Sequence, residues 1–270
     1  MIRIFLILLV SCVFAAPKPN SKPLHIMVSI IPQVYLVEKI TKGNAIISVM
    51  VPQNKAPENY EPRPAQMKTL KEKQLFIGVG MPFEKKWEVR FRQTNPKMRF
   101  INSAQKIAES SMQESVYVWL SPKFLKIQAK EIFYAVASVD LRNKEFYKQN
   151  YEAFLHEIDL LDLQIKKIFA QQDSKKGFVL THSSLKHFAR DYGLEEVVFD
   201  VINADKPEYL QELRNTLKTY GLDKIFLQPQ FVKKQTLALC RKLKVECAEL
   251  NVFVPDLELL LLQTAKSIAR

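Results

Sequence analysis

Short continuous apolar runs alternate with amphipathic stretches along this chain, and the alternation occurs in two blocks. In the first, His25 to Ile30 reads as a buried strand. A helix follows, with Val34, Leu36, Val37 and Ile40 on one face. Ala45 to Val51 reads as a second strand, Gln66 to Lys73 as a charged helix, Leu75 to Val79 as a third strand and Met98 to Ile101 as a fourth. Ser121-Pro122 opens another helix, with proline at a tolerated first-turn position. The second block runs strand Phe178–Thr181, helix His182–Tyr192, strand Val197–Ile202, helix Pro207–Tyr220, strand Lys224–Gln228, helix Lys234–Leu243, strand Val245–Leu250 and helix Pro255–Ala269. Alternation of this kind predicts an α/β fold with mainly parallel sheets and crossover helices.

Between the blocks the period changes. Phe146, Tyr147, Asn150, Phe154, Ile158, Leu161, Ile165 and Ile168 recur at helical spacing with charges between them, and the stretch contains no Gly or Pro. This predicts one helix over about 143–169, roughly 40 Å long at 1.5 Å per residue. Periodicity alone leaves open whether it is a core helix or a rigid strut. The expected organisation is a signal peptide (1–15), a first lobe (24–142), the linking helix (143–170) and a second lobe (171–270).

The N-terminus reads as an address. Met1-Ile2-Arg3 gives a positive start, Ile4 to Phe14 is almost wholly apolar, and Ala15-Ala16 precedes a polar, proline-containing stretch. This is the pattern of an export signal cleaved near Ala15, and the apolar run is too short to span a bilayer as a mature helix. A competing reading takes Leu9-Val10-Ser11-Cys12 as a lipoprotein box with Cys12 acylated, although the signal before it would be unusually short. The expected location is periplasmic or otherwise extracytoplasmic. Export permits a disulfide between Cys240 and Cys247, one near a helix end and one on the next strand. Two separate buried thiols are the alternative.

Composition narrows the chemistry. The six glycines form no G-x-G-x-x-G, no P-loop and no G-x-S-x-G elbow, which argues against nucleotide-dependent and serine-hydrolase functions. No convergent nucleophile–base pair suggests an enzyme. The net charge is +12, with a basic stretch through Lys68, Lys71, Lys73, Lys85, Lys86, Arg90 and Arg92. Export and the lack of a recognition motif argue against a nucleic-acid partner. The ordinary reading of such a stretch is a solvated surface; a salt-sensitive attraction to anionic lipid headgroups is the other.

In open parallel sheets ligands sit beyond the carboxyl ends of strands. The segments there are Pro57-Glu58-Asn59-Tyr60-Glu61-Pro62, Val116 to Pro122, His182-Ser183-Ser184 and Leu250-Asn251-Val252-Phe253. The first resembles the P-H-x-Y-E-P loop of the zinc/manganese substrate-binding proteins of ABC importers, and the second their D-P-H-x-W-L-S-P motif. His182 to Leu194 resembles their H-x-A-F-x-Y-F-x-x-x-Y-G-L segment, and Ile225 to Gln230 their strand ending in E-P-Q. The stretch from Asn143 resembles their linking helix, with Asp140, Asn143, Tyr147 and Asn150 in register. The resemblance covers about Leu24 to Arg270.

It implies two lobes, a linking helix and a divalent metal held in the cleft by two side chains from each lobe. The ligand set departs from the family pattern. Glu58 and Tyr117 stand where the family has histidines, His182 is retained, and Asn251 replaces an aspartate. Only four histidines occur in the whole chain, and the histidine-rich loop of many zinc members is absent. Glu and His are competent zinc ligands. A phenol with an ordinary pKa near 10 must lose its proton to bind well, and Asn offers only a carbonyl oxygen. The set is oxygen-rich, which weakens zinc and relatively favours manganese or iron. Glu61 or Asp256 would complete coordination if the loops shift. The bland alternatives are a solvated Glu58, a packing Tyr117 with its hydroxyl bonded, a helix-start His182 and a turn-forming Asn251.

The resulting expectation is a monomeric extracytoplasmic protein that binds zinc, or manganese or iron, as transported ligand and delivers it to an ABC importer permease. The alternative is a divergent relative with weak or no metal binding that acts as an envelope interaction protein.

Overall fold

The computed structural model describes residues 22–171, 177–199, 206–231 and 234–269. The expected signal segment, Cys12 and the end of the expected 197–202 strand lie outside these residues.

The first sheet is built from β1 (Leu24–Val28), β2 (Ala45–Val49), β3 (Leu75–Gly78) and β4 (Arg99–Asn102) in the order β2-β1-β3-β4. The second is built from β5 (Gly177–Leu180), β6 (Glu195–Val198), β7 (Lys224–Leu227) and β8 (Glu246–Glu249) in the order β6-β5-β7-β8. All pairings are parallel, with Ile26 opposite both Ile47 and Leu75, and Leu180 opposite Phe226. The central strands β3 and β5 are continuous apolar runs, and β1 is broken only by the half-buried His25, because helices cover both sheet faces. β2 is shorter than its apolar run, yet Met50 and Val51 still donate to Val28 and Ser29, so the chain leaves the sheet gradually.

The helices are α1 (Pro32–Thr41), α2 (Pro64–Thr69), α3 (Pro82–Thr94), α4 (Glu109–Glu114), α5 (Pro122–Val139), α6 (Lys144–Ala170), α7 (Lys186–Tyr192), α8 (Pro207–Tyr220), α9 (Lys234–Leu243) and α10 (Leu257–Ile268). Five of them, α1, α2, α3, α5 and α8, have Pro in the first turn, where its missing N–H leaves no bond unmade. Ser121 caps α5, its hydroxyl accepting from the Phe124 amide. α7 and α8 stop at Gly193 and Gly221, both in the left-handed conformation that glycine adopts without strain.

Two helices were not expected from the pattern, α3 and α4. The signal for α3 is Pro82 followed by Phe83, Trp87 and Phe91, spaced four apart on its inner face. The helix expected from His182 begins only at Lys186. The Glu196 carboxylate accepts from Ser183 Oγ and from the amides of Ser184 and Leu185, which holds 183–185 as a loop. The expected 66–73 helix is α2 followed by a 3-10 turn, Leu70–Glu72.

α6 resolves as a core helix. Its face of Phe146, Tyr147, Phe154, Ile158, Leu161, Ile165 and Phe169 is buried. It packs on α1 and α5 from the first lobe and on α10 from the second, so one continuous apolar core runs through both lobes. Each such side chain contributes about 1.5–3 kcal/mol by leaving water. A smaller core on the outer side of the second sheet joins Val179, Leu213, Leu217, Ile225 and Leu239. Beside it Cys240 of α9 and Cys247 of β8 form a disulfide with Cα atoms 5.8 Å apart, which decides between the two cysteine readings. Among the described residues, no helix is long and apolar enough to cross a membrane.

Candidate metal centre

The carboxyl ends of both sheets point toward a shared cleft, and the loops that follow them meet there. Glu58 lies in the loop after β2, and neighbouring contacts fix that loop. Tyr60 donates to Gln66 Oε1 at 2.7 Å, while the other end of the Gln66 amide donates to Met50 O. Tyr117 comes from the segment between α4 and α5. Its amide donates to Ser115 Oγ, and its ring packs against Trp119 and Phe253. Trp119 Nε1 donates to Val252 O at 3.0 Å, which ties this segment to the opposite lobe. His182 lies in the loop after β5 that Glu196 holds, with its ring stacked on Phe231.

Three of the four expected ligands come together. Tyr117 Oη donates to Glu58 Oε1 at 2.6 Å and lies 2.9 Å from His182 Nε2. Glu58 Oε1 and His182 Nε2 are 4.0 Å apart. With the phenol proton committed to Glu58, His182 must carry its hydrogen on Nε2 for this pairing to hold. Glu58 and His182 are half-buried, whereas Tyr117 is buried. Glu58 Oε2 is buried and has no hydrogen-bond partner.

The electrostatics favour neutral ring groups. Burial, with the Glu58 carboxylate beside it, holds the Tyr117 phenol far above its ordinary pKa. Burial lowers the His182 pKa, and Glu58 opposes that shift by favouring the imidazolium. His182 is therefore a neutral imidazole at neutral pH, whose hydrogen must move from Nε2 to Nδ1 before Nε2 can bind an ion, while Tyr117 offers a hydroxyl rather than a phenolate.

Asn251 is used differently. Its Oδ1 accepts from Gln230 Nε2 and from the Phe253 amide, both at 3.0 Å, so it shapes the turn after β8. Glu61 pairs with Lys86 on the surface, and Asp256 caps α10 by accepting from the Leu259 amide. Neither acid is turned to complete a site. Among the described residues, no three or more His, Cys, Asp or Glu side chains gather at one point.

The donors present fit a divalent ion after a small rearrangement. Two ligand atoms bound at about 2.1 Å to a tetrahedral ion lie about 3.4 Å apart. Glu58 and His182 must close slightly from 4.0 Å, and the Tyr117 hydroxyl must move off the line between them. The unpartnered Glu58 Oε2 would offer an ion a second carboxylate oxygen without breaking an existing bond.

The family profile of the periplasmic zinc-uptake complex component A matches residues 26–258. The chain belongs to that family. A crystal structure of ZnuA superposes with a TM-score of 0.83 and 32% identity, covering 92% of this chain and 98% of that one. The high-affinity zinc uptake system protein ZnuA of Bacillus subtilis is 23% identical over 217 residues, which are 73% of this chain and 67% of that protein. The manganese ABC transporter substrate-binding lipoprotein PsaA of Streptococcus pneumoniae is 23% identical over 248 residues, 84% and 80% of the two chains. As a member of the zinc-uptake component A family, this is a metal-binding substrate-binding protein of the ABC-importer type.

Several residues that shape this family member's site escaped the reading of its sequence. Phe231 stacks on His182, and Gln230 reaches both Asn251 and, across the cleft, Gln53 O at 3.2 Å. Glu196 holds the His182 loop from the neighbouring strand. Gln230 ends the segment that resembles the family's E-P-Q strand, while for Phe231 and Glu196 only a position just after, or beside, strand ends marks them out, since each acts through a contact between separate segments.

Proposed function

We propose that this protein captures a divalent transition metal, zinc foremost and manganese or iron as alternatives, between its lobes and passes it to the permease of an ABC importer. Glu58 and His182 are its principal ligands, one from each lobe. Tyr117 adds a neutral oxygen donor, and Asn251 contributes its carbonyl only on release from Gln230. The carrying observation is the meeting of Glu58, Tyr117 and His182 across the cleft beside an unpartnered carboxylate oxygen. The names of zinc and manganese uptake proteins among the relatives support the class of cargo. Capture needs no covalent step, and the protein acts as a single chain outside the cytoplasmic membrane.

The oxygen-rich set implies weaker zinc binding than a site of several imidazoles gives, with less discrimination against manganese. Calorimetric titration of metal-stripped protein with Zn²⁺, Mn²⁺ and Fe²⁺ tests the proposal. Saturable binding that falls about a hundredfold in both Glu58→Ala and His182→Ala is expected. Absence of saturable binding for all three ions, or binding that ignores both substitutions, sinks it.

A further inference from the structure

The charge of this protein is not spread evenly. Between residues 63 and 106 there are eleven Lys or Arg and only three Asp or Glu, a surplus of eight in a chain whose total is +12. Of the three acids, Glu84 is buried beneath the 79–80 turn and Glu88 is engaged by Arg92, which leaves Glu72. The metal site uses none of these cations.

The fold gathers most of them on one surface. Along α3, Lys85, Lys86, Val89, Arg90, Arg92 and Gln93 are exposed, while Phe83, Glu84 and Phe91 are buried. Helical spacing places the exposed set on one continuous face that carries four cations, of which Lys86 pairs with Glu61 and Arg92 with Glu88 at the edge of the face. Val89 stands in the middle of that face, 65% exposed. Trp87 lies half-buried at its edge, with the Arg90 guanidinium 4.8 Å from the ring centre. α2 and the turn after it pack beside α3 and add exposed Arg63, Lys68 and Lys71. Lys97 and Arg99 extend the surface to the edge strand β4.

We infer that the α2–α3 face is a docking surface for an anionic phospholipid membrane. Dense exposed cations with an exposed aliphatic side chain among them are features that hold a protein face at an anionic headgroup layer. A lipid surface matches this face better than a protein partner, because the field is broad and its cations far outnumber the acids beside them, Glu61 on Lys86, Glu88 on Arg92 and Glu72 next to Lys71. Lys86 also pairs with Glu61, three residues from Glu58, so the docked face lies beside the loop that carries a proposed metal ligand. Docking would therefore hold that loop close to the bilayer in which a permease sits. The inference does not depend on metal binding.

Co-sedimentation of the purified protein with vesicles tests it, using phosphatidylglycerol mixed with phosphatidylcholine at about 3:7 against phosphatidylcholine alone. At about 0.05 M salt, partition onto the anionic vesicles is expected to be at least about tenfold stronger, and to fall about tenfold by 0.3 M. The variant Lys85→Glu/Arg90→Glu/Lys97→Glu should lose at least about tenfold of that partition. A second variant, Lys218→Glu/Lys242→Glu/Lys266→Glu, makes the same change in net charge on the other lobe and should retain it. Equal binding to both vesicle types overturns the inference, as does an equal loss in the two variants. Circular dichroism and the metal titration of both variants show whether folding and cargo binding are intact, which separates this outcome from the fate of the metal site.

Discussion

The His182 ring lies flat on Phe231, with ring centres 3.8 Å apart and planes 11° apart. The stack fixes the direction of the Nε2 atom and shields the imidazole from water, which contributes to its lowered pKa. Phe231→Ala should raise the zinc dissociation constant about three- to tenfold and move the imidazole pKa back toward its ordinary value. Titration calorimetry and an NMR pH titration measure the two effects. Unchanged values for both would remove Phe231 from any positioning role.

Tyr117 stands at a point where the family pattern has an imidazole. Its phenol cannot ionise cheaply, because burial and Glu58 both resist the phenolate. Tyr117→Phe should therefore weaken zinc by about tenfold or less, a smaller loss than at Glu58 or His182. Tyr117→His should do the opposite, tightening zinc by at least about tenfold while leaving manganese little changed. Paired titrations with the two ions check the direction. A histidine that leaves zinc affinity unchanged would mean that position 117 does not reach the ion.

His187 is buried on α7, and its Nε2 donates to Ser115 O of the opposite lobe at 2.8 Å. Burial lowers its pKa, Ser115 O and Glu114 oppose that shift, Arg190 adds to it, and Asp191 opposes it weakly. The unfolded chain therefore takes up a proton in the ordinary imidazole range that the folded chain refuses. Stability is fully present above that range and is lost as pH falls below it. His187→Gln keeps a donor for Ser115 and should flatten this loss. His187→Ala leaves the carbonyl unpaired and should cost about 1–3 kcal/mol at neutral pH. Denaturant melts across pH distinguish the two.

The Cys240–Cys247 disulfide closes a short loop, with a sequence separation of seven. Loop-closure entropy for so small a ring amounts to about 2–3 kcal/mol. Cys240→Ser/Cys247→Ser should lower thermal stability by an amount of that order. Metal affinity should not change, since the bridge braces α9 against β8 rather than a cleft loop. Calorimetric melts with and without reductant provide the check.

The sequence made the layered fold legible because parallel strands buried on both faces are continuous apolar runs, and the long helix has a distinct period. α3 was missed because its lysines and arginines mask a core stripe of Phe83, Trp87 and Phe91. The start of α7 was misplaced because Glu196, thirteen residues beyond Ser183 and on another strand, decides where the helix begins. At the cleft, Glu58, Tyr117 and His182 could be named from their motifs. Their hydrogen bonds could not, and neither could the role of Asn251, because Gln230 claims its oxygen through a contact between two loops.

The shared face of α6 bears on how the whole molecule folds. Tyr147 near one end and Phe169 near the other belong to the same continuous core, so neither lobe has a complete interior without this helix. The two halves should unfold in a single cooperative transition, and a chain cut at either end of the helix should yield no independently stable half. Movement between capture and release should then be confined to the loops at the cleft mouth and to slight pivoting around a shared interior.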